Sequence, residues 1–308
     1  MQKMWMCTGN EKKIDRIYDN ALRLKINRNS RIVLMSDCHR GTGNWGDNFL
    51  FNQNIAYGAL RYYDRMNFTY VELGDGDELW ENKKVEDILE VHGSQLLLMS
   101  RLYQAGRFYM IYGNHDKYKK SSDYMKCVYN RYMWRKSEVC YELFPRMNVY
   151  EGIVLEEEYR KYEILLLHGH QVDFVNDNLW YITRFLVRHL WRKVELLGIN
   201  DPTSAAKNYQ KKKKVEKKLE NWAEKKGVLV IAGHTHRPVL PEPGEGMYLN
   251  DGSCVHPRCI TAIEIEGEQI TLVKWEVKTR PNNDMYVGRE VVEGPYYIKE
   301  YFGEPKQR

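Results

Sequence analysis

The sequence lacks the features that would indicate a secreted or membrane-spanning protein. Its six cysteines form no Cys-x-x-Cys pair and no dense framework, so we expect reduced thiols and a cytoplasmic location. No run approaches the roughly 18 apolar residues that a membrane span needs. The first residues, MQKMWMCTGNEKK, contain no apolar region of the kind found in secretory signals.

The charge of the chain is nearly balanced. Lysine and arginine number 47, aspartate and glutamate 42, and the formal net charge is +5. This small excess favours an anionic substrate but does not by itself indicate nucleic-acid binding. Hydrophobic residues make up 43% of the 308 residues, which is enough for a sizeable core in one large α/β domain or two small ones.

Short apolar segments, typical of strands buried on both faces, recur along the chain. Segments with helical periodicity separate the first three of them. This alternation predicts right-handed βαβ crossovers and a parallel sheet. Strands are predicted over residues 31–36, 68–73, 107–112, 163–167 and 228–232, and helices over residues 48–65 and 84–104.

The segments outside this alternation also carry predictions of secondary structure. Helices are expected over residues 1–29 and 117–135, and a β-hairpin over residues 259–277. The residues from about 280 onward are polar with scattered aromatics and receive no assignment. We therefore predict one domain over residues 1–280 and a carboxy-terminal extension over residues 281–308.

Polar groups follow each of the five predicted apolar strands. After the first strand come Asp37, Cys38 and His39; on an extended chain Asp37 and His39 point the same way and Cys38 points to the other side. The carboxyl ends of strands are where open α/β sheets place their ligands. The other four strand ends carry Asp75, Asn114 with His115, His168 with His170, and His234 with His236.

Such a set of residues predicts a metal centre. Buried carboxylates and imidazoles carry a desolvation cost unless they are paired or bound to a metal. Nitrogen and oxygen ligands without thiolate suit manganese, iron, zinc or cobalt. Two ions roughly 3.5–4 Å apart can clamp the attacking and leaving oxygens of a phosphate ester. Asp75 is the candidate for the carboxylate that bridges the two ions.

The order and form of these motifs resemble the calcineurin-like metallophosphoesterase superfamily. The resemblance implies a four-layer α/β/β/α sandwich with a helical insertion. It also implies hydrolysis of a phosphate ester or pyrophosphate by in-line attack of a metal-bridged hydroxide. The motifs are Asp37-x-His39, Gly74-Asp75-x-x-Glu78, Gly113-Asn114-His115-Asp116, His168-Gly169-His170 and Gly233-His234-Thr235-His236.

The resemblance also assigns roles to individual residues. His115 would contact the substrate and protonate the leaving oxygen, and Asp116 would orient His115. His168 is preferred to His170 as the ligand of the fourth motif. Two divalent ions are expected, with manganese preferred and iron, zinc or cobalt as alternatives. The first ion would take Asp37, His39, Asp75 and His236, and the second would take Asp75, Asn114, His168 and His234.

Within the superfamily the chain looks most like the UDP-2,3-diacylglucosamine pyrophosphohydrolase group. Glu78, the sequence GHTHRP at 233–238 and a helical insertion at about 171–227 support this likeness. In that group the insertion covers an acylated substrate, so a nucleotide-sugar-like substrate is implied. His115 and His170 depart from the group's usual Arg and Asp, and phosphomonoesters and phosphodiesters therefore remain alternatives.

Two segments of the insertion have more than one interpretation. Residues 178–198 carry an apolar helical stripe with interleaved arginines; this predicts packing on the body, a lid, or a peripheral membrane contact. The lysine-rich segment 211–218 predicts a solvated helix face, or a rim that attracts phosphate or nucleic acid. The expected partner is a small phosphorylated molecule, with nucleic acid less favoured and the oligomeric state open. A phosphoesterase fold reused as a non-catalytic binding module is the alternative to an enzyme.

Overall fold

Two stacked β-sheets form the centre of the protein. The computed structural model describes residues 9–82, 84–134, 139–159, 162–173 and 209–303. The six-stranded sheet has the spatial order β13 (Met285–Tyr297), β12 (Gln269–Thr279), β11 (Cys259–Glu266), β2 (Arg31–Met35), β3 (Thr69–Leu73) and β4 (Phe108–Ile111). The five-stranded sheet has the order β1 (Leu22–Ile26), β7 (Gly152–Glu157), β8 (Glu163–Leu167), β9 (Leu229–Ala232) and β10 (Tyr248–Asn250).

Smaller elements complete the described part of the chain. A separate hairpin pairs β5 (Arg131–Trp134) with β6 (Val139–Glu142). Short 3-10 helices cover Lys117–Lys120, His170–Val172 and Ile298–Phe302. The α-helices are α1 (Gly9–Asp19), α2 (Gln53–Arg65), α3 (Val85–Gln104), α4 (Ser122–Val128) and α5 (Tyr209–Lys226).

Alternation along the strands creates three separate apolar cores. In β2, Ile32 and Leu34 face the other sheet, whereas Val33 and Met35 face outward. Fully burying one such side chain stabilises the fold by about 1.5–3 kcal/mol, so a shift of the strand by one residue would be costly. The core between the sheets includes Leu34, Leu73, Ile111, Leu155, Leu166 and Ile231.

Helices cover both outer faces. Helices α2 and α3 pack on the outer face of the six-stranded sheet, where Ala59 and Leu96 are buried. On the other side, Ile14 of α1 and Trp222 of α5 pack on the outer face of the five-stranded sheet. This order of layers is the predicted α/β/β/α sandwich, and the prediction is confirmed.

Strand direction brings the predicted site residues to one edge. Strands β2, β3 and β4 are parallel to each other, so their carboxyl ends lie at the same edge of the six-stranded sheet. Strands β8 and β9 are parallel in the other sheet. The parallel prediction is therefore right for the strands that precede the motifs. The hairpin predicted over residues 259–277 is also confirmed, because β11 and β12 pair antiparallel. Strand β11 further pairs antiparallel with β2, and β13 with β12.

Several predicted elements differ from those observed. The predicted helix over residues 1–29 is wrong at its end: α1 stops at Asp19, and Leu22–Ile26 form β1 with alternating burial. The predicted helix over 117–135 is a 3-10 turn, a short helix and then β5. Beyond residue 280, β13 pairs along β12 as the outer strand of the six-stranded sheet. The domain boundary near residue 280 stays a prediction.

The helical insertion is described only in part. Residues 178–198, with the apolar stripe, lie outside the described residues. The lysine-rich segment 211–218 lies on α5, where Lys213 and Lys214 are exposed and Val215 is buried. None of the helices in the described ranges is long and apolar enough to cross a membrane.

Candidate metal centre

The backbone leaves the extended conformation where the motifs begin. Asp37 and His39 have φ angles of 51° and 48°, and Asp75, His234 and His236 have φ angles of 50°, 67° and 52°. The prediction of an extended Asp37–His39 segment is therefore wrong. Each left-handed residue other than glycine costs roughly 1–2 kcal/mol, and such strain concentrates at functional sites.

Backbone hydrogen bonds hold the first two motifs together in this conformation. The amides of Asp37 and His39 donate to the carbonyl oxygens of Gly74 and Asp75, at 3.0 and 2.9 Å. Cys38, between the two amides, is 1% exposed and belongs to the core beneath α2 and α3. It therefore faces away from the predicted ligands, as expected.

The first predicted group of ligands comes together around Asp37. The candidate ligand atoms of Asp37, His39 and His236 all lie within 4.8 Å of one another. Asp37 Oδ1 is 3.0 Å from His236 Nε2 and 3.7 Å from His39 Nε2. The other oxygen of Asp37 accepts hydrogen bonds from Ser36 Oγ and the His234 amide, at 2.5 and 2.8 Å, which leaves Oδ1 for the site.

The second group of ligands comes together around Asp75. The candidate ligand atoms of Asp75, His168 and His234 lie within 4.8 Å of one another. Asp75 Oδ2 is 3.1 Å from His168 Nε2 and 3.9 Å from His39 Nε2. One oxygen of Asp75 thus lies between the two groups, which is the position that a bridging carboxylate requires. His170 belongs to neither group in the part of the chain that the structure describes.

The buried atoms of this cluster fit divalent metals. Buried polar atoms are nearly always hydrogen-bonded. Within the described residues, four predicted ligand atoms make no hydrogen bond of normal geometry. Two of them, Asp37 Oδ1 and His168 Nε2, instead lie 3.0 and 3.1 Å from another atom of the site. His168 donates from Nδ1 to the Leu73 carbonyl oxygen at 2.7 Å, so its Nε2 keeps a lone pair for a metal. The four atoms are Asp37 Oδ1, Asn114 Oδ1, His168 Nε2 and His234 Nε2.

The electrostatic environment keeps the two carboxylates ionised. Burial raises the pKa of Asp75, but His168 and His115 outweigh it and hold the pKa well below its usual range. Burial likewise raises the pKa of Asp37, but His236 and His168 outweigh burial and hold this pKa well below its usual range. Both groups therefore remain anionic ligands, which is the state that binds a metal.

Glycine is required where the third motif passes the second. A Cβ atom at Gly113 would lie 2.0 Å from Asp75 Oδ1 and 2.5 Å from the Asp75 amide nitrogen. Only glycine lets the two loops approach this closely. The amide of His115 then donates to Asp75 Oδ1 at 2.8 Å, so the two motifs form one rigid unit.

Glu78 contacts two histidines of the site, and sequence reasoning assigned it no role there. Its Oε2 lies 3.0 Å from His39 Nδ1 and 2.7 Å from His115 Nδ1. Burial raises the pKa of Glu78, but His115 and His39 lower it to about 2. The ring of Trp80 stacks on His115 at a centroid distance of 3.9 Å. The sequence places Glu78 three residues after Asp75 but does not show which side chains Glu78 contacts.

Asp116 lies in a different environment from the one predicted. Its Oδ1 accepts from the Gly113 amide at 2.7 Å, and its Oδ2 accepts from the Gly76 amide at 3.0 Å and from Lys119 Nζ at 2.9 Å. The contact with the His115 ring is made by Glu78. Asp116 therefore fixes the backbone of the second and third motifs.

A network of charged side chains lies buried directly behind the motifs. Arg40 is 0% exposed and donates to both oxygens of Glu72, at 2.8 and 3.0 Å, and to Asp77 at 2.6 Å. Lys119 Nζ is 2.7 Å from Asp77 Oδ2. We call this set, Arg40, Glu72, Asp77, Asp116 and Lys119, the buried ionic network.

Comparison with known proteins identifies a family for this chain. The sequence model of the family described as calcineurin-like phosphoesterase matches residues 30–238, more than half of the chain. No curated protein sequence matches the chain significantly. Among solved structures, Vacuolar Protein Sorting 29 from Cryptosporidium parvum is similar over 86% of this chain and 98% of its own, at 14% identity and a TM-score of 0.38. Vps29 from Chaetomium thermophilum is similar over 85% of this chain and 95% of its own, at 12% identity and a TM-score of 0.35.

Proposed function

The chain belongs to the calcineurin-like phosphoesterase family, and we propose that it is a metal-dependent hydrolase of phosphate esters or pyrophosphates. The observation that carries this proposal is the set of buried atoms without a hydrogen-bond partner, Asp37 Oδ1, Asn114 Oδ1, His168 Nε2 and His234 Nε2. They belong to residues at the ends of strands from both sheets. A site adapted to metal ions would leave ligand atoms of this kind free of hydrogen bonds, and their convergence at one edge favours metal-dependent chemistry.

Two divalent ions are the proposed cofactors, with manganese preferred. Asp37, His39, Asp75 and His236 would hold one ion, and Asp75, Asn114, His168 and His234 the other. When bound, the ions would supply Lewis-acid chemistry, which lowers the pKa of water and neutralises charge on a phosphoryl group. Nitrogen and oxygen donors without thiolate suit this class of metal.

His115 is the proposed proton donor to the leaving oxygen. Its side chain is 22% exposed, while those of Asp37 and Asp75 are 0% and 2% exposed. Glu78 Oε2 lies 2.7 Å from Nδ1, and this contact would orient the ring so that Nε2 faces the substrate. Trp80 stacks on the ring and limits its rotation. A positioned acid of this kind typically accelerates proton transfer by about 10²–10⁴-fold.

The proposed substrate is a small phosphorylated molecule. The resemblance to the UDP-2,3-diacylglucosamine pyrophosphohydrolase group makes a nucleotide-sugar-like pyrophosphate the first molecule to test. Because His115 stands where that group usually has Arg, phosphomonoesters and phosphodiesters are the next substrates to test. A binding module without catalysis is the competing function, and hydrolysis measured together with metal content separates the two.

The proposal is tested by a hydrolysis screen. Purified protein supplied with Mn²⁺ should release a phenol from an aryl phosphate or an aryl phosphodiester, or a nucleoside monophosphate and a sugar phosphate from a nucleotide sugar. Chelation should stop the reaction. Metal content is measured on the same sample. Two equivalents of metal without hydrolysis of any substrate would favour the binding module. No retained metal after reconstitution would refute the metal centre itself.

Replacing Glu78 by Gln should lower kcat about 10–100-fold, the usual effect of removing a group that orients a site histidine. Gln keeps the size of the side chain but loses the charge that faces His39 and His115. We expect the pH dependence of kcat to change and the unfolding temperature to stay close to that of the wild type. The kinetics should be measured at saturating Mn²⁺, with metal content determined in parallel.

Asp116→Asn provides the contrast. Because Asp116 binds the amides of Gly76 and Gly113, this variant should lower the unfolding temperature and leave the shape of the pH profile unchanged. If Asp116→Asn shifted the pH profile and Glu78→Gln did not, Asp116 would be the partner of His115, as first predicted.

A further inference from the structure

The segment after β10 passes beside the first motif, although sequence reasoning assigned it no part in the site. Asp251 directly follows β10, and its amide donates to the Ala232 carbonyl oxygen at 3.0 Å. Two residues later, the Ser253 hydroxyl donates to the Asp37 carbonyl oxygen at 3.3 Å. Because β10 is parallel to β9, this segment leaves the five-stranded sheet at the same edge as His234.

The side chain of Asp251 is linked to that of Asp37 through Ser36. Ser36 Oγ lies 2.7 Å from Asp251 Oδ1 and 2.5 Å from Asp37 Oδ2. All three residues are 0% exposed, so bulk water does not compete for these contacts. The three side chains therefore form a buried chain of hydrogen bonds, which runs from the end of β10 to the carboxylate that faces the first proposed ion.

The number of protons in this chain determines the state of Asp251. A serine hydroxyl has a single proton to donate. Its two short contacts with carboxyl oxygens are both hydrogen bonds only when one of the carboxyl groups carries a second proton. Asp37 is the ionised group, because its Oδ2 also accepts from the His234 amide at 2.8 Å and its Oδ1 lies 3.0 Å from His236 Nε2. Asp251 therefore donates to Ser36, and Ser36 donates to Asp37.

The surroundings of Asp251 agree with a neutral carboxyl group. Its other oxygen, Oδ2, is buried and makes no hydrogen bond within the described part of the chain. An ionised carboxylate buried with one oxygen unpaired would carry a high desolvation cost, which a protonated group largely avoids. Burial, and then the nearby charge of Asp37, raise the pKa of Asp251 well above its usual range.

We propose that Asp251 is a positioning residue of the metal centre: as a neutral hydrogen-bond donor it holds Ser36 and, through Ser36, keeps Asp37 Oδ1 directed toward the first ion. This rests on the metal centre of the proposed function and adds to it a residue that acts only through its neighbours. An ionised Asp251 would instead compete with Asp37 for the single proton of Ser36. A neutral donor also adds no negative charge to a site that receives an anionic phosphate.

The proposal is tested with two variants of Asp251 that differ in the donor they offer. Asn is neutral and has an amide group that can donate to Ser36 in place of the carboxyl proton, whereas Leu is similar in size and has no donor. Mn²⁺ is titrated calorimetrically into each protein after its metal has been removed. Asp251→Asn should bind Mn²⁺ within about threefold of the wild type, and Asp251→Leu about 10–100-fold more weakly, the usual effect of removing the partner of a metal ligand.

Two further variants separate positioning from a general loss of stability. Ser36→Ala removes the middle of the chain and should weaken Mn²⁺ binding as much as Asp251→Leu. The double variant should show no additional loss, because both changes break the same chain. Tyr63→Phe is the matched control, since the Tyr63 hydroxyl is equally buried and donates to Glu264 at 2.7 Å in the core beneath α2 and α3. It should lower the unfolding temperature and leave the Mn²⁺ affinity unchanged.

Infrared spectroscopy measures the protonation of Asp251 without relying on metal affinity or hydrolysis. A protonated carboxyl group has a carbonyl band separate from the bands of ionised carboxylates. This band should appear in the difference spectrum between the wild type and Asp251→Asn at neutral pH. Its absence would overturn the proposal, as would wild-type Mn²⁺ affinity in Ser36→Ala or an equal loss of affinity in Asp251→Asn and Asp251→Leu. The infrared band, Asp251→Asn and Ser36→Ala decide the question even where Asp251→Leu does not fold.

The proposed function and the positioning role of Asp251 fail in different ways. If the wild type hydrolyses aryl phosphates but its Mn²⁺ affinity does not depend on Asp251 and Ser36, the positioning role is overturned and the proposed function stands. If the Mn²⁺ affinities follow the expected order, yet no phosphate ester is hydrolysed, the positioning role is supported and the proposed hydrolase is refuted.

Discussion

Asp75→Asn is expected to abolish hydrolysis, with a fall in kcat on the order of 10³-fold or more, the scale observed when a preorganised polar group is removed from an active site. Asp75 Oδ2 lies 3.1 Å from His168 Nε2 and 3.9 Å from His39 Nε2. Asn has the same shape as Asp but no charge. Both proposed ions would lose the ligand that they share.

Metal analysis separates this effect from a general loss of structure. Asp75→Asn should retain fewer metal equivalents than the wild type after reconstitution with Mn²⁺ and dialysis. Asp47→Asn is the matched control, because Asp47 is also buried and faces a histidine, His92, at 2.9 Å. It should lower stability but keep the metal content. Full activity or full metal content in Asp75→Asn would refute the bridging role.

Arg40→Met is expected to lower the free energy of unfolding by about 3–5 kcal/mol, the usual result of removing one member of a buried ion pair. Arg40 is 0% exposed and is the shared partner of Glu72 and Asp77. Methionine fills much of the volume, but both carboxylates would remain buried with one cation fewer. The loss can be measured by denaturant-induced unfolding at neutral pH.

An exposed arginine provides the comparison, and pH provides a second test. Arg101 pairs with Asp64 at 2.8 Å with its side chain 71% exposed, so Arg101→Met should change stability by less than about 1 kcal/mol.

Burial raises the pKa of Asp77, but Arg40 and Lys119 hold it well below its usual range. The contribution of Asp77 is therefore present above about pH 4, the unfolded pKa, and is lost as the pH falls toward the folded pKa. The difference between wild type and Arg40→Met should shrink in the same direction.

The strands before the motifs could be predicted because each is a short apolar run that ends in glycine or polar residues. Ser36, Asp37 and His39, for example, come within four residues after the apolar run Ile32–Met35. Strand β13 could not be predicted in this way. Its outer position leaves Val291 and Val292 44% and 49% exposed, and its burial does not alternate regularly. Pairing with β12 determines this strand, and that contact is not visible in the local pattern.

The site, like the fold, could be predicted from the sequence only in part. The residue types and their order predicted which side chains would meet. The contacts of Glu78 with His39 and His115 could not be predicted, because they depend on left-handed residues at Asp37, His39 and Asp75. Extended geometry would direct these side chains differently. Asp116 directly follows His115 in the sequence, and this order suggests a contact between the two side chains. In the structure the oxygens of Asp116 instead accept hydrogen bonds from the amides of Gly76 and Gly113.

The proposed ligands are divided between the two sheets. Asp37, Asp75 and Asn114 follow strands of the six-stranded sheet, and His168 and His234 follow strands of the five-stranded sheet. Each ion would therefore act as a further cross-link between layers that are joined at this edge by apolar contacts and by hydrogen bonds, such as those from the His234 amide to Asp37 and from His168 Nδ1 to the Leu73 carbonyl oxygen. Because the ions would bind the folded protein and not the unfolded chain, they would add to the free energy of unfolding. The resistance of the protein to heat and proteases would then rise with the concentration of free metal.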